Sequence, residues 1–149
     1  MEQKNVDIEN LLQHGETVKL KPQGHSMYPL FVSGRDWAIL KKAEYDKLKK
    51  GDVVLYRREG SILVLHRICK IKNDGLYMVG DNQREVEGPL GKEQVKGILT
   101  GLERRGKYIS AKDPLYIMLS RLWLFLRPLR PAISKTVAML KRLVRKKRR

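Results

Sequence analysis

The chain has 149 residues, 32 Lys and Arg against 16 Asp and Glu, a net charge of +16 and a single cysteine. That length admits one domain, or one small domain with an appendage, and excludes a multidomain assembly. Cys69 alone cannot form an internal disulfide, and three histidines without close pairing argue against a structural zinc site, so neither metal nor cofactor is expected.

The first 21 residues carry Glu2, Lys4, Asp7, Glu9, Glu16, Lys19 and Lys21, and hold no apolar run suited to a signal sequence or a spanning helix. Within them, residues 5–13 read as a short helix with Val6, Ile8, Leu11 and Leu12 as its apolar set, ended by Gly15. Residues 17–21 alternate like a strand, and Pro22 and Gly24 then break the pattern to open a turn around Ser26. Strands are expected over 36–40, 53–56 and 62–71, with a charged loop over 41–50 and a hairpin turn at Glu59-Gly60. Asn73-Asp74-Gly75 is a second hairpin turn, from which 76–79 pairs back. Residues 94–102 and 107–110 give two further strands around Arg104-Arg105-Gly106. Many short strands punctuated by turns argue for a mainly β fold, a barrel or a folded sheet.

Asp113-Pro114 marks a boundary, since Asp suits the cap and Pro the first turn of a helix. The expected division is a domain over 1–111 and a tail over 112–149. The tail reads as an apolar helix over 115–126, a break at Pro128 and Pro131, and a second helix over 132–144 with Ile133, Val137, Leu140 and Val144 at helical spacing. It holds twelve Lys and Arg against one acid, Asp113, and so carries +11 of the charge. Arg121, Arg127 and the prolines interrupt any membrane span. Two readings stay open: the apolar helix packs on the sheet with its basic end in water, or the pair lies on an anionic membrane with Trp123 and Phe125 in the headgroup layer. Positive charge would keep such a tail on the cytoplasmic side. Aromatic residues are few there, which makes nucleic acid the weaker partner.

Chemistry-bearing residues fall in three islands: Gly24-His25-Ser26-Met27-Tyr28-Pro29-Leu30, His66-Arg67-Ile68 and Gly80-Asp81-Asn82. A serine hydroxyl becomes a useful nucleophile only with a base within reach and donors placed for the oxyanion. Ser26 lies in a turn where Gly24 lets the backbone bend, and His66 shares a strand face with Ile62, Val64 and Ile68. An imidazole with an ordinary pKa of about 6.5 suits the base role near neutrality.

Together these islands resemble the type I signal peptidases and their self-cleaving LexA-type relatives. The nearest resemblance is to the histidine-base branch known from archaea and the endoplasmic reticulum, and it covers residues 20–100 or so. It implies a folded β-sheet barrel, Ser26 as nucleophile and His66 as base, where the bacterial leader peptidases carry lysine followed by the same Arg67. Met27 and Pro29 fill the places that shape the turn beside the substrate cleft. Asp81 and Asn82 match the family's Gly-Asp-Asn box, while in the histidine-type enzymes the acid lies a few residues beyond it, where Glu87 falls. Asp81 is the expected triad acid and Glu87 the alternative. Lys50-Gly51-Asp52-Val53-Val54-Leu55-Tyr56 resembles the strand that supports the site, and Gly88-Pro89-Leu90 with Val95-Lys96-Gly97-Ile98 the segment returning from it. One departure is Gly24, where some members carry a hydroxyl residue that donates to the oxyanion; here the hole would rest on backbone donors.

The expected function is a serine endopeptidase that cleaves a peptide or leader segment by a Ser-His-Asp mechanism, in the cytoplasm at the inner membrane surface. The LexA-type alternative needs a helix-turn-helix domain and usually a lysine base, and residues 1–20 are too few for the first. The other alternative is a non-catalytic peptidase-like protein that holds anionic membrane, or nucleic acid, through its tail.

Overall fold

A computed structural model of the chain describes residues 7–59 and 62–147. Asp7 caps helix α1 (Ile8–Gln13), its carboxylate accepting the Asn10 N–H at 3.1 Å and so satisfying one of the unpaired donors of the first turn. So short a helix is not stable by itself; Leu12, buried in the core, fastens it to the sheet.

Eight strands follow: β1 (Val18–Leu20), β2 (Asp36–Lys42), β3 (Val53–Arg57), β4 (Leu63–Lys72), β5 (Gly75–Val79), β6 (Glu87–Leu90), β7 (Val95–Arg104) and β8 (Lys107–Ser110). They form one antiparallel sheet in the order β1-β2-β7-β3-β4-β5-β6, with β8 added to β7. The mainly β expectation therefore holds, as does a C-terminal helical tail of α2 (Pro114–Phe125) and α3 (Arg130–Lys147). β3 shows why the core has two parts. Alternate residues of a strand face opposite sides, so Val53 and Leu55 join one buried cluster, and Val54 and Tyr56 join the other.

Three boundaries differ from the sequence reading. β2 runs on to Lys42 because Lys41 and Lys42 pair with Ile98 and Gly97 of β7; partner strands, not local hydrophobicity, set its length. Glu87–Leu90 forms β6 on the free side of β5, although Gly88 and Pro89 are poor strand formers. An edge strand tolerates proline because its outer backbone groups need no partner in the sheet. α3 begins at Arg130, and Pro131 sits inside its first turn, where the missing N–H costs nothing. Pro128 lies in the 3-10 turn Arg127–Leu129 that separates the helices. Gly60 of the expected Glu59-Gly60 turn lies outside the described residues, but β3 and β4 pair across it with Val54 opposite His66.

Candidate active site

The turn that carries Ser26 follows β1. Gly24 has φ +81°, a conformation that costs other residues strain, which accounts for glycine there. Beyond Ser26, Met27 and Phe31 are buried in the core and anchor the turn from beneath. The Tyr28–Pro29 peptide bond is cis. The far side of the turn is held by Asp36 at the start of β2, wholly buried, which accepts from the Val32 N–H at 2.9 Å and from both Arg35 and Arg104. Arg104 also donates to the Leu30 carbonyl at 2.9 Å. Burial pushes the Asp36 carboxyl up, but the Arg35 and Arg104 guanidiniums and the Val32 N–H outweigh it and hold it well below the usual range.

The loop after β5 meets this turn directly. Asn82 N–H donates to the Ser26 carbonyl at 2.7 Å. A Cβ on Gly80 would stand 2.7 Å from that same oxygen, so only glycine permits the approach. Both oxygens of Asp81 accept from Arg67, at 2.8 Å each, and Arg67 donates once more, to the Gly51 carbonyl at 2.8 Å. Arg67 and Asp81 are each 1% exposed. The ion pair thus nails the loop to β4 and to the entry of β3. Trp123 of α2 donates to the Asp81 carbonyl at 2.7 Å, and Arg130 of α3 donates to it as well.

His66, 2% exposed, lies on β4 beside Tyr56 of β3. Its Nδ1 is 3.0 Å from the Tyr56 hydroxyl, which donates to Glu87 Oε2 at 2.9 Å. Glu87 is held in turn by Arg58, which reaches both carboxylate oxygens. Burial would raise the Glu87 carboxyl; the hydrogen bonds from Arg58 and Tyr56 prevail and keep it low, hence ionised. An ionised carboxylate can only accept, so the single phenolic proton goes to Glu87 and the phenol oxygen must accept from His66. That requires Nδ1–H and leaves Nε2 unprotonated. Burial lowers the His66 pKa and Glu87 opposes the shift only in part, so the ring is neutral near pH 7. Burial first, then Glu87, raises the Tyr56 phenol and keeps it protonated.

Ser26 and His66 line one groove of about 500 Å³, together with Gly24, Met27, Arg58 and Gln83. Leu20, Phe31, Leu63 and Leu65 give it an apolar wall. No hydrogen bond joins Ser26 Oγ to His66 among the described residues. The Ser26 and Met27 N–H groups make no hydrogen bond among the described residues and remain available as donors. Of the expected site residues, then, Ser26, His66, Gly24 and Met27 share the groove. Arg67, Asp81 and Asn82 lie behind it as its support. Asp81 makes no hydrogen bond to His66, and its charge acts on the imidazole only as a minor upward pull. Glu87 stands nearer, its Oε1 3.8 Å from Nδ1.

Two members of the cluster, Tyr56 and Arg58, had no assigned role in the sequence reading. The expected two-residue turn would not have found Tyr56: centred on Glu59-Gly60 it sets Val54 opposite Leu65, whereas the observed register sets Val54 opposite His66 and so puts Tyr56, two residues on, on the same face as the histidine.

The chain is similar to Signal peptidase I W of Bacillus subtilis (strain 168), with 30% identity over 94 residues, covering 60% of this chain and 49% of that protein. The chain thus spans about half the length of the curated relative it matches. No protein-family model matches the chain, and no solved structure matches it.

Proposed function

We propose that this protein is a serine endopeptidase of signal-peptidase type, in which Ser26 attacks a peptide carbonyl and His66 Nε2 takes its proton. Tyr56 and Glu87 hold the imidazole in the required tautomer, and Glu87 stabilises the imidazolium through the phenol. In the collapse of the tetrahedral intermediate, His66 returns the proton to the leaving amine, and the Ser26 and Met27 N–H groups face the oxyanion. Asp81 serves the loop instead of the base: its carboxylate is committed to Arg67. The single observation that carries this reading is the His66–Tyr56–Glu87 chain, which leaves an unprotonated ring nitrogen beside the serine's groove. The similarity to a protein named as a signal peptidase supports the reaction class.

The substrate is a peptide or leader segment that enters the apolar-walled groove. We place the enzyme at the cytoplasmic face of a membrane, with residues 112–149 against anionic lipid, because that segment joins exposed apolar side chains to strong positive charge. No helix among the described residues is long and apolar enough to cross a membrane.

The test is a serine-reactive, signal-peptidase-type probe with the adduct mapped by mass spectrometry. Labelling at Ser26 in the native protein, lost in Ser26→Ala and in His66→Ala, is the expected result. A folded protein that stays unlabelled by a panel of such probes, or that labels equally without His66, would overturn the assignment.

A further inference from the structure

The tail and the sheet together enclose a second hollow, remote from the chemistry of His66. It has a volume of about 470 Å³ and lies between the end of α2, the turn after it, the outer part of β4 and the loop after β5. Four cations line it: Lys50, Lys70, Arg84 and Arg127. No acidic side chain lines it, and none of the four forms an ion pair among the described residues. Two of the four hold the hollow's shape, since Arg127 donates to the Arg84 carbonyl at 2.9 Å. Like charges gathered without counter-charge repel one another, and an anion seated among them relieves the repulsion.

What surrounds the hollow decides which anion. A hollow of similar size, about 490 Å³, adjoins it, sharing Lys50 and Leu124 and adding Arg121 and Phe125. Phe125 is 77% exposed and ends an apolar row, Leu115, Met118, Leu119, Leu122 and Phe125, that runs along the outer face of α2. The opposite face, Tyr116, Ser120 and Trp123, is turned to the sheet. On α3, Ile133, Val137, Leu140 and Leu143 continue the exposed apolar surface. A phosphate of nucleic acid would use the cations and leave these rows in water. A phospholipid leaflet uses both at once: phosphate among the cations, acyl chains against the rows.

We infer that this hollow is a headgroup site for an anionic phospholipid, built jointly by the sheet (Lys50, Lys70, Arg84) and the tail (Arg127). The inference rests on the proposed membrane contact and deepens it: lipid is held by a defined site that includes the peptidase domain, beyond diffuse attraction to the basic tail. It also fixes an orientation. Gln83 lines the serine's groove while its neighbour Arg84 lines the headgroup site, so the bilayer surface would lie one residue along the loop from the catalytic groove.

The experiment is flotation of the full chain with phosphatidylglycerol-containing and pure phosphatidylcholine vesicles, with single-stranded DNA at the same ionic strength as competitor. The variants are Lys70→Glu/Arg84→Glu in the hollow, Arg105→Glu/Lys107→Glu on the β7–β8 turn as an equal charge change, and Leu122→Glu/Phe125→Glu on the apolar row. The expected result is binding to the anionic vesicles only, weakened at least about tenfold by the hollow variant and by the apolar-row variant, and much less by the turn variant. Equal weakening by the hollow and turn variants would overturn the headgroup site while leaving diffuse membrane contact standing. No binding to anionic vesicles by the native chain, or displacement from them by DNA at equimolar phosphate, would overturn the membrane contact itself. Probe labelling of Ser26, measured beside these, reports on the peptidase assignment independently of either outcome.

Discussion

Tyr56 has one O–H to donate in a hydrogen bond, and Glu87 accepts it. The state of His66, the proposed base, follows from that: the phenol oxygen must accept from His66, and the imidazole is held with Nε2 free. Tyr56→Phe keeps the ring in its buried place and removes only this link, so kcat should fall by about 10- to 100-fold with KM little changed, less than the roughly 100- to 10,000-fold that an acid–base group itself supplies, because the imidazole remains. Native kcat in that variant would remove Tyr56 from the mechanism. Glu87→Gln makes a prediction of sign. His66 must be neutral to accept a proton, so activity rises with pH through its pKa. Burial holds that value below the ordinary 6.5, and Glu87 is the largest upward influence on it. Loss of the carboxylate lowers it further, and the rising limb of the kcat/KM profile should shift to more acidic pH while kcat drops. A limb that stays in place, or moves toward neutrality, would show that Glu87 is not coupled to the base.

Between elements, the serine turn is positioned by contacts from strands that have no chemistry of their own. β4 presents Arg67 one residue after His66, and Arg67 fixes Asp81, whose neighbours Gly80 and Asn82 touch the Ser26 carbonyl. Arg67→Ala leaves a carboxylate buried without its partner, a loss of about 3–5 kcal/mol, to be read from the midpoint of chemical denaturation. Arg67→Lys should recover only part of it, because an ammonium group cannot span both oxygens as the guanidinium does. A denaturation midpoint unchanged by Arg67→Ala would mean the pair contributes nothing net to the fold.

For the whole molecule, the helical tail is tied to the loop that supports the serine turn. Trp123 and Arg130 converge on the Asp81 carbonyl, and Arg127 reaches Arg84. Trp123→Phe retains most of the apolar bulk and loses the N–H. If the tail supports the loop, Ser26 labelling should slow by about tenfold, as small displacements at an active site do, with flotation on anionic vesicles unaltered. An unaltered labelling rate would make the helices a passive attachment. Flotation of the native chain should weaken steeply with added salt, since the basic contribution is screened beyond about 10 Å at 0.1 M.

By itself, the sequence determined the element types. Alternation and turn residues indicated every strand but β6, and Asp113-Pro114 marked the start of α2, because these are local effects of backbone geometry and side-chain branching. It also singled out Ser26 and His66, whose neighbours form compact motifs. What only the tertiary structure decided was partnership. Asp81 and Glu87 stand six residues apart in one acidic stretch, and nothing local distinguishes them. The register of β4 on β5, with Arg67 opposite Val79, gives Arg67 to Asp81, and the addition of β6 at the sheet edge brings Glu87 to Tyr56. Likewise, +11 on the tail is visible in composition, but the hollow with Lys50, Lys70 and Arg84 exists only where α2 meets the sheet. Long-range pairing depends on which surfaces fit when the whole chain packs, and no short stretch of residues carries that information.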